Sequence, residues 1–202
     1  MLTEVKNLQR TEKSTVTLVI DPDTGTRYIR KELCGPHPIY AQLQALSHPY
    51  LPKIFHVEEA RAGVVLIEEF IDGANLAEIT LPEKQVMVLM EELCEVLVFL
   101  HQHGIIHRDI KPSNLLLAPD GHIRLIDFDA AREEKNTGGS DTRLLGTKGY
   151  APPEQYGFAQ TDARADIYAV GVTMKQLLGK RADRRPYRHI LRKCTEFAPK
   201  HR

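Results

Sequence analysis

At 202 residues, with 42% hydrophobic and 27% charged residues, the chain has the make-up of a globular protein with one sizeable domain or two small lobes, which excludes a disordered protein or a fibre. Lys plus Arg and Asp plus Glu both number 27, so no overall field draws it to nucleic acid, an anionic membrane or an acidic substrate. The three cysteines, Cys34, Cys94 and Cys194, are odd in number, far apart and outside any CxxC or Cys/His ligand spacing, which argues against disulfides or zinc and fits a reducing cytosol.

The chain opens without the charged-then-apolar pattern of an export signal. Before the first apolar alternation stand eight polar residues, QRTEKSTV from Gln9 to Val16, which read either as a disordered tail or as a phosphate-binding loop without its glycines. TVTLVI and TRYIRKEL, joined by the turn formers of DPDTG, then predict a hairpin over residues 15–33. PIYAQLQAL predicts a short helix ending at His48-Pro49, and VEEARAGVVLIEEF predicts two strands around Arg61-Ala62-Gly63. The first part is therefore mostly β, with a boundary near Ile71-Asp72-Gly73.

From Thr80 the pattern turns helical. Thr80 three residues before Glu83 reads as a capping box, with Pro82 in the first turn, and Val86, Leu89, Met90, Leu93, Leu97 and Leu100 follow helical spacing. The apolar run VMVLMEELCEVLVFL within it carries Glu91, Glu92 and Glu95, too polar and too short for a membrane span. A second helix, ADIYAVGVTMKQLLG, is apolar almost all round and ends at Gly179, which predicts a buried rather than an amphipathic element. Between the helices runs a long polar, Gly-rich loop that includes EEKNTGGSDTR. The chain stops at Arg202 without a tail, which leaves room for a continuation in the natural protein.

Three stretches carry chemistry: HRDIKPSNLLL (107–117), LIDFDAAR (125–132) and GTKGYAPPE (146–154). In the first, Asp109 can accept a proton, Lys111 can contact a phosphate and Asn114 can hold a metal. In the second, Asp127 ends an apolar strand and offers a hard oxygen ligand for Mg²⁺. Any one alone reads as surface charge; three in this order and spacing do not.

These stretches resemble the signatures of the eukaryotic-type protein serine/threonine kinases. The resemblance implies an α+β, two-lobed protein-kinase-like fold, with a small antiparallel β lobe over residues 1–72 and a helical lobe over 73–202. It implies ATP- and Mg²⁺-dependent phosphoryl transfer to a serine or threonine hydroxyl of a protein substrate, in the cytoplasm. Asp109 would be the catalytic base and Lys111 would neutralise the transferring phosphate. Asn114 and Asp127 would hold Mg²⁺. Lys31 would contact the phosphates, and Val16, Ile29, Glu69, Ile71 and Leu116 would line the nucleotide site. Thr147 would face the acceptor residue, Glu154 would pair with Arg202, and Asp166 would anchor the catalytic loop. Arg108 would pair with a phosphate on Thr137, Ser140 or Thr142, unless that loop is held by its own contacts.

Departures from the pattern lie in the β part. Aligning Val16 with the valine that closes the family's glycine loop puts Gln9, Thr11 and Ser14 where three glycines stand. Ile29 replaces a small residue over the adenine, at about 1–3 kcal/mol if nothing moves, and Asp129 replaces the glycine of the Asp-Phe-Gly motif. The helix after Lys31 carries no glutamate. Glu68, just before the hinge, can pair with Lys31 in its place; a one-residue shift of that strand would put Glu68 in solvent instead. Two alternatives stand beside protein kinase activity: a scaffold that keeps the fold and catalyses little, and a small-molecule kinase, against which GTKGYAPPE argues.

Overall fold

The computed structural model describes residues 1–60, 62–134, 147–156 and 161–202. The chain divides into two compact units, Met1–Asp72 and Gly73–Arg202.

The first unit is an antiparallel sheet with one helix. Its strands are β1 (Thr3–Arg10), β2 (Ser14–Ile20), β3 (Arg27–Cys34), β4 (Ile54–Ala60) and β5 (Gly63–Glu69), in the order β1-β2-β3-β5-β4, and α1 spans Ile39–Gln44 between β3 and β4. Sequence reasoning missed β1, because its eight residues are exposed throughout and show no apolar alternation. Pairing with β2, from Thr3 opposite Ile20 to Arg10 opposite Thr15, makes it a strand. The segment read as a tail or a glycine-free loop is therefore the closing end of a hairpin. Thr11 builds its turn: the Thr11 N–H donates to the Ser14 carbonyl at 2.8 Å, and Thr11 Oγ1 accepts the Ser14 N–H at 3.0 Å and the Lys13 N–H at 3.2 Å.

Between β3 and β5 the register is unbroken, with Ile29 opposite Glu68, Lys31 opposite Leu66 and Leu33 opposite Val64. Side chains alternate across a strand, so these six share one face, and all are buried. α1 contributes buried Ile39, Tyr40 and Leu43.

The second unit contains β6 (Ala74–Asn75), α2 (Glu83–Gln102), β7 (Ile105–Ile106), β8 (Leu115–Leu117), β9 (Ile123–Leu125), β10 (Arg132–Glu133), α3 (Arg164–Leu178) and α4 (Tyr187–Cys194). Its small sheets are β6-β8-β9 and β10-β7. On α2, the six apolar residues expected at helical spacing are all buried. The capping box does not form: Pro82 is itself the cap, with extended backbone, and no side chain caps the helix. Thr80 lies two residues too early, so its hydroxyl cannot reach the orphan N–H groups of the first turn.

α3 also departs from expectation. One face is buried through Asp166, Ala169, Val170, Thr173 and Met174, while Ile167, Lys175 and Gln176 are exposed. It ends at Gly179, whose φ of 55° suits a residue without Cβ. Gly171 allows α4 and the residue after it to approach, since a Cβ there would lie 2.7 Å from Cys194 Cβ and 3.1 Å from Thr195 Cγ2. α4 was not anticipated; it is short and mostly exposed, with Leu191 buried. Among the described residues no helix is long and apolar enough to cross a membrane. Cys34, Cys94 and Cys194 are free thiols.

Candidate active site

The loop between β7 and β8 is pinned from below by α3. Asp166, fully buried in the first turn of α3, accepts the His107 N–H through Oδ2 at 2.9 Å and the Arg108 N–H through Oδ1 at 2.8 Å. His101 Nε2, from the last turn of α2, meets Oδ2 at 2.8 Å. Gln155 Nε2 donates to the Arg108 carbonyl at 2.7 Å, and Thr173 Oγ1 reaches the Ile110 carbonyl at 3.4 Å. This grip holds Arg108 at a φ of 69°, a conformation that costs a non-glycine residue about 1–3 kcal/mol unless its surroundings impose it. Asp127 has a φ of 67°, so two of the three signature stretches contain a non-glycine residue in the left-handed region.

Held in this way, Asp109 stands half-buried at the centre of four donors. Oδ2 accepts Lys111 Nζ at 2.7 Å and Asn114 Nδ2 at 3.1 Å; Oδ1 accepts the Thr147 hydroxyl at 2.8 Å and the Thr147 N–H at 3.1 Å. Burial pushes the Asp109 carboxyl up, but the hydrogen bonds from Lys111 and Thr147 outweigh it and hold the group below the usual carboxylate range. It is therefore an ionised acceptor at neutral pH. Lys111 Nζ also donates to Thr147 Oγ1 at 2.8 Å, which ties the residues after the Gly-rich loop to the Asp109 loop. His107 is fully buried beside Phe128, with ring centroids 4.6 Å apart, and burial lowers its imidazole against the pull of Asp166, Asp127 and Asp109. A neutral ring fits its geometry, since Nδ1 faces the Asp109 N–H at 3.3 Å.

Asn114 turns its amide nitrogen onto the Asp109 carbonyl at 2.8 Å, so its side-chain oxygen is the atom it could offer a cation. Its backbone carbonyl accepts the Ile126 N–H at 3.0 Å and so holds the Asp127 segment alongside. The two offer a carboxylate and an amide oxygen, hard donors suited to Mg²⁺. Among the described residues no three His, Cys, Asp or Glu side chains cluster as a metal cage. Two protein oxygens completed by substrate phosphates are an ordinary arrangement for Mg²⁺, so the residues fit that ion.

The Glu154–Arg202 pair forms as two parallel hydrogen bonds with both side chains almost fully buried, and Arg202 Nε further donates to the Glu196 carbonyl at 2.8 Å. Thr137, Ser140, Thr142 and Gly146 lie outside the described residues.

In the first unit, Lys31 Nζ and Glu68 Oε1 are 2.8 Å apart, with side chains 8% and 9% exposed. The β3–β5 register puts Glu68 on the Lys31 face and so excludes the shifted strand. Val16 is opposite Lys31 on β2, and Ile29 is buried on the same face. Glu69 ends β5, its carboxylate accepting the Lys53 N–H at 3.1 Å. Ile71 follows β5 and Leu116 lies in β8, both half-buried.

Sequence reasoning missed Gln155, His101 and Tyr40. The first two act on the loop by side chain-to-backbone or side chain-to-carboxylate bonds across many residues, which leave no local pattern. Tyr40, fully buried on α1, was legible only as one apolar residue of a short helix.

A five-stranded antiparallel unit with one short helix, followed by a helical unit whose first long helices clamp an Asp-Lys-Asn loop, defines a protein of the protein-kinase fold. The chain belongs to the protein kinase family: the family's protein kinase domain matches residues 39–196. It is 29% identical over 175 residues to the serine/threonine-protein kinase PknB of Mycolicibacterium smegmatis and 30% identical over 175 residues to that of Mycobacterium tuberculosis, in each case covering 77% of this chain and 28% of the relative. It is 32% identical over 149 residues to protein kinase C zeta type of Oryctolagus cuniculus, over 69% of this chain and 24% of the relative. The chain thus spans under a third of the length of these relatives.

Proposed function

We propose that the chain transfers the γ-phosphoryl group of ATP to serine or threonine hydroxyls of protein substrates. The observation that carries this reading is the Asp109 cradle: an ionised carboxylate fixed among Lys111, Asn114 and Thr147 on a loop pinned by Asp166.

In the proposed step the substrate hydroxyl oxygen forms a bond to the γ-phosphorus as the bond to the β,γ-bridging oxygen breaks and ADP leaves. Asp109 accepts the hydroxyl proton. Its lowered affinity for protons makes it a weak base, which suits a reaction in which bond-making to the nucleophile lags and the proton moves late. Lys111 donates towards the transferring group and offsets its charge, from a position already set by Asp109 and Thr147. Asn114 and Asp127 would hold Mg²⁺. The ion would supply charge neutralisation across the phosphates. Val16 and Ile29, on the Lys31 face of the sheet, with Glu69 and Ile71 of the same unit, would take the nucleotide. In the β1–β2 turn the Lys13 and Ser14 N–H groups already bond to Thr11 Oγ1, so Lys31 rather than the turn backbone is the phosphate contact of this unit. A cytoplasmic, thiol-reducing setting agrees with three free cysteines.

The scaffold alternative is weaker because every residue of the Asp109 cradle is present and hydrogen-bonded to Asp109. The test is labelled-phosphate transfer from Mg·ATP to a generic basic protein, with phosphoamino acid analysis of the product. Asp109→Asn is expected to lose about 10²–10⁴-fold in transfer rate, the usual worth of a positioned general base, while keeping Mg·ATP binding. Equal transfer by wild type and Asp109→Asn, or label on tyrosine, would reject the reading.

A further inference from the structure

We infer that Glu68 is the residue that positions Lys31 for the nucleotide phosphates, doing from a neighbouring strand what a helix-borne carboxylate does in related kinases. The inference rests on the kinase reading above.

The register carries it. Lys31 is opposite Leu66, and Glu68 is two residues further along β5, so the two side chains are diagonal neighbours on one face of the sheet. Their charged atoms are 2.8 Å apart. Beside them on β3 and β5 that face carries Ile29, Leu33, Val64 and Leu66, all buried. In such a setting an isolated ammonium or carboxylate is expensive, and each group is tolerated because the other faces it. Had Glu68 only to be satisfied, any polar partner would serve; its partner is instead Lys31, the one buried lysine among the described residues.

α1 offers no competing carboxylate. Its six residues, Ile39 to Gln44, include no acid. What it brings is Tyr40, whose ring centroid is 6.0 Å from Lys31 Nζ, at the outer edge of a cation–π contact. The ring walls the ammonium on one side while the carboxylate sets its direction. Both ends of the ion pair ride on strands hydrogen-bonded to each other along their length, so the sheet and not the docking of α1 sets the position of Nζ.

The test is calorimetric titration of the full chain with Mg·ATP and, separately, with adenosine, which has no phosphates for Lys31 to meet. Lys31→Met should weaken Mg·ATP binding about tenfold or more. Glu68→Gln, which keeps the shape and removes the charge, should weaken it about tenfold (about 1.4 kcal/mol), with adenosine affinity within about twofold of wild type. Lys31→Met with Glu68→Gln should be no weaker than Lys31→Met alone, because a carboxylate that acts through the lysine has nothing left to position. Glu68→Asp keeps both charges and the fold but withdraws the carboxylate by one methylene; it should weaken Mg·ATP by a smaller factor and spare adenosine. The inference is overturned if Glu68→Gln and Glu68→Asp bind Mg·ATP as wild type does. It is equally overturned if ATP and adenosine are weakened by the same factor, the mark of a merely structural residue, or if the losses of Lys31→Met and Glu68→Gln multiply. A wild-type chain that does not bind Mg·ATP, or a Lys31→Met variant that binds it normally, would remove the kinase reading itself and this inference with it.

Discussion

Replacing Asp166 by asparagine changes one atom of the buried carboxylate that pins the Asp109 loop. The native side chain accepts three hydrogen bonds, from the His107 and Arg108 N–H groups at 2.9 and 2.8 Å and from His101 Nε2 at 2.8 Å. Asparagine keeps one acceptor oxygen. If that oxygen stays on Arg108, the new NH₂ faces the His107 N–H, donor against donor. Of the two bonds to Oδ2, His101 can change tautomer and accept from the new NH₂, but the charge-assisted bond from the His107 N–H, about 1.5–3 kcal/mol, is lost and that buried N–H is left unsatisfied at about 1–3 kcal/mol. The expected destabilisation is about 2.5–6 kcal/mol, which for a chain of this size lowers the thermal midpoint by about 5–24 °C. The rate should fall as well, because Arg108 keeps its left-handed backbone only while Asp166 and Gln155 hold it, and relaxation there carries Asp109 away. A shift of about 1 Å in a catalytic group costs about a hundredfold. Differential scanning calorimetry and phosphate transfer by the same preparation check both parts. An Asp166→Asn protein with wild-type midpoint and rate would refute the reasoning, since the loop would then be held by other contacts.

Two further outcomes are expected. Gly171→Ala raises the helix propensity of α3 by about 1 kcal/mol, yet its Cβ would stand 2.7 Å from Cys194 Cβ, and overpacking of this kind costs about 1–3 kcal/mol; the urea midpoint should fall, and a rise would refute the close approach. His122 Nδ1 meets the buried Glu92 carboxylate at 2.7 Å, and that hydrogen bond and charge raise the imidazole above its usual 6.5, with smaller effects from burial, Asp120 and Arg124. A value raised by folding means that the contribution is complete below the unfolded value and disappears as pH rises through the folded one. The difference in urea midpoint between wild type and His122→Gln should therefore be largest near pH 6 and shrink as pH rises through the folded value, and a pH-independent difference would overturn the assignment.

Order and spacing along the chain were enough for the α+β class, the apolar face of α2, the break between a β part and a helical part, and the three stretches around Asp109, Asp127 and Thr147. Each of these is a local property: a period of two or of 3.6, a turn residue, a fixed offset within a loop. Sequence also narrowed the partner of Lys31 to Glu68 or to none on its strand, because the choice depends on parity along β5. It could not choose between them. Parity becomes a contact only when β3 and β5 adopt one register, and a slip of one residue would have sent Glu68 to the opposite face. β1, exposed along its whole length, exists as a strand because β2 pairs with it. The grip of Asp166, His101 and Gln155 on residues 107 and 108 joins positions 47 to 65 apart in the chain. The electrostatics of Asp109 were likewise settled by tertiary structure, because burial and four converging donors act in opposite directions and only their geometry decides that the carboxylate stays charged.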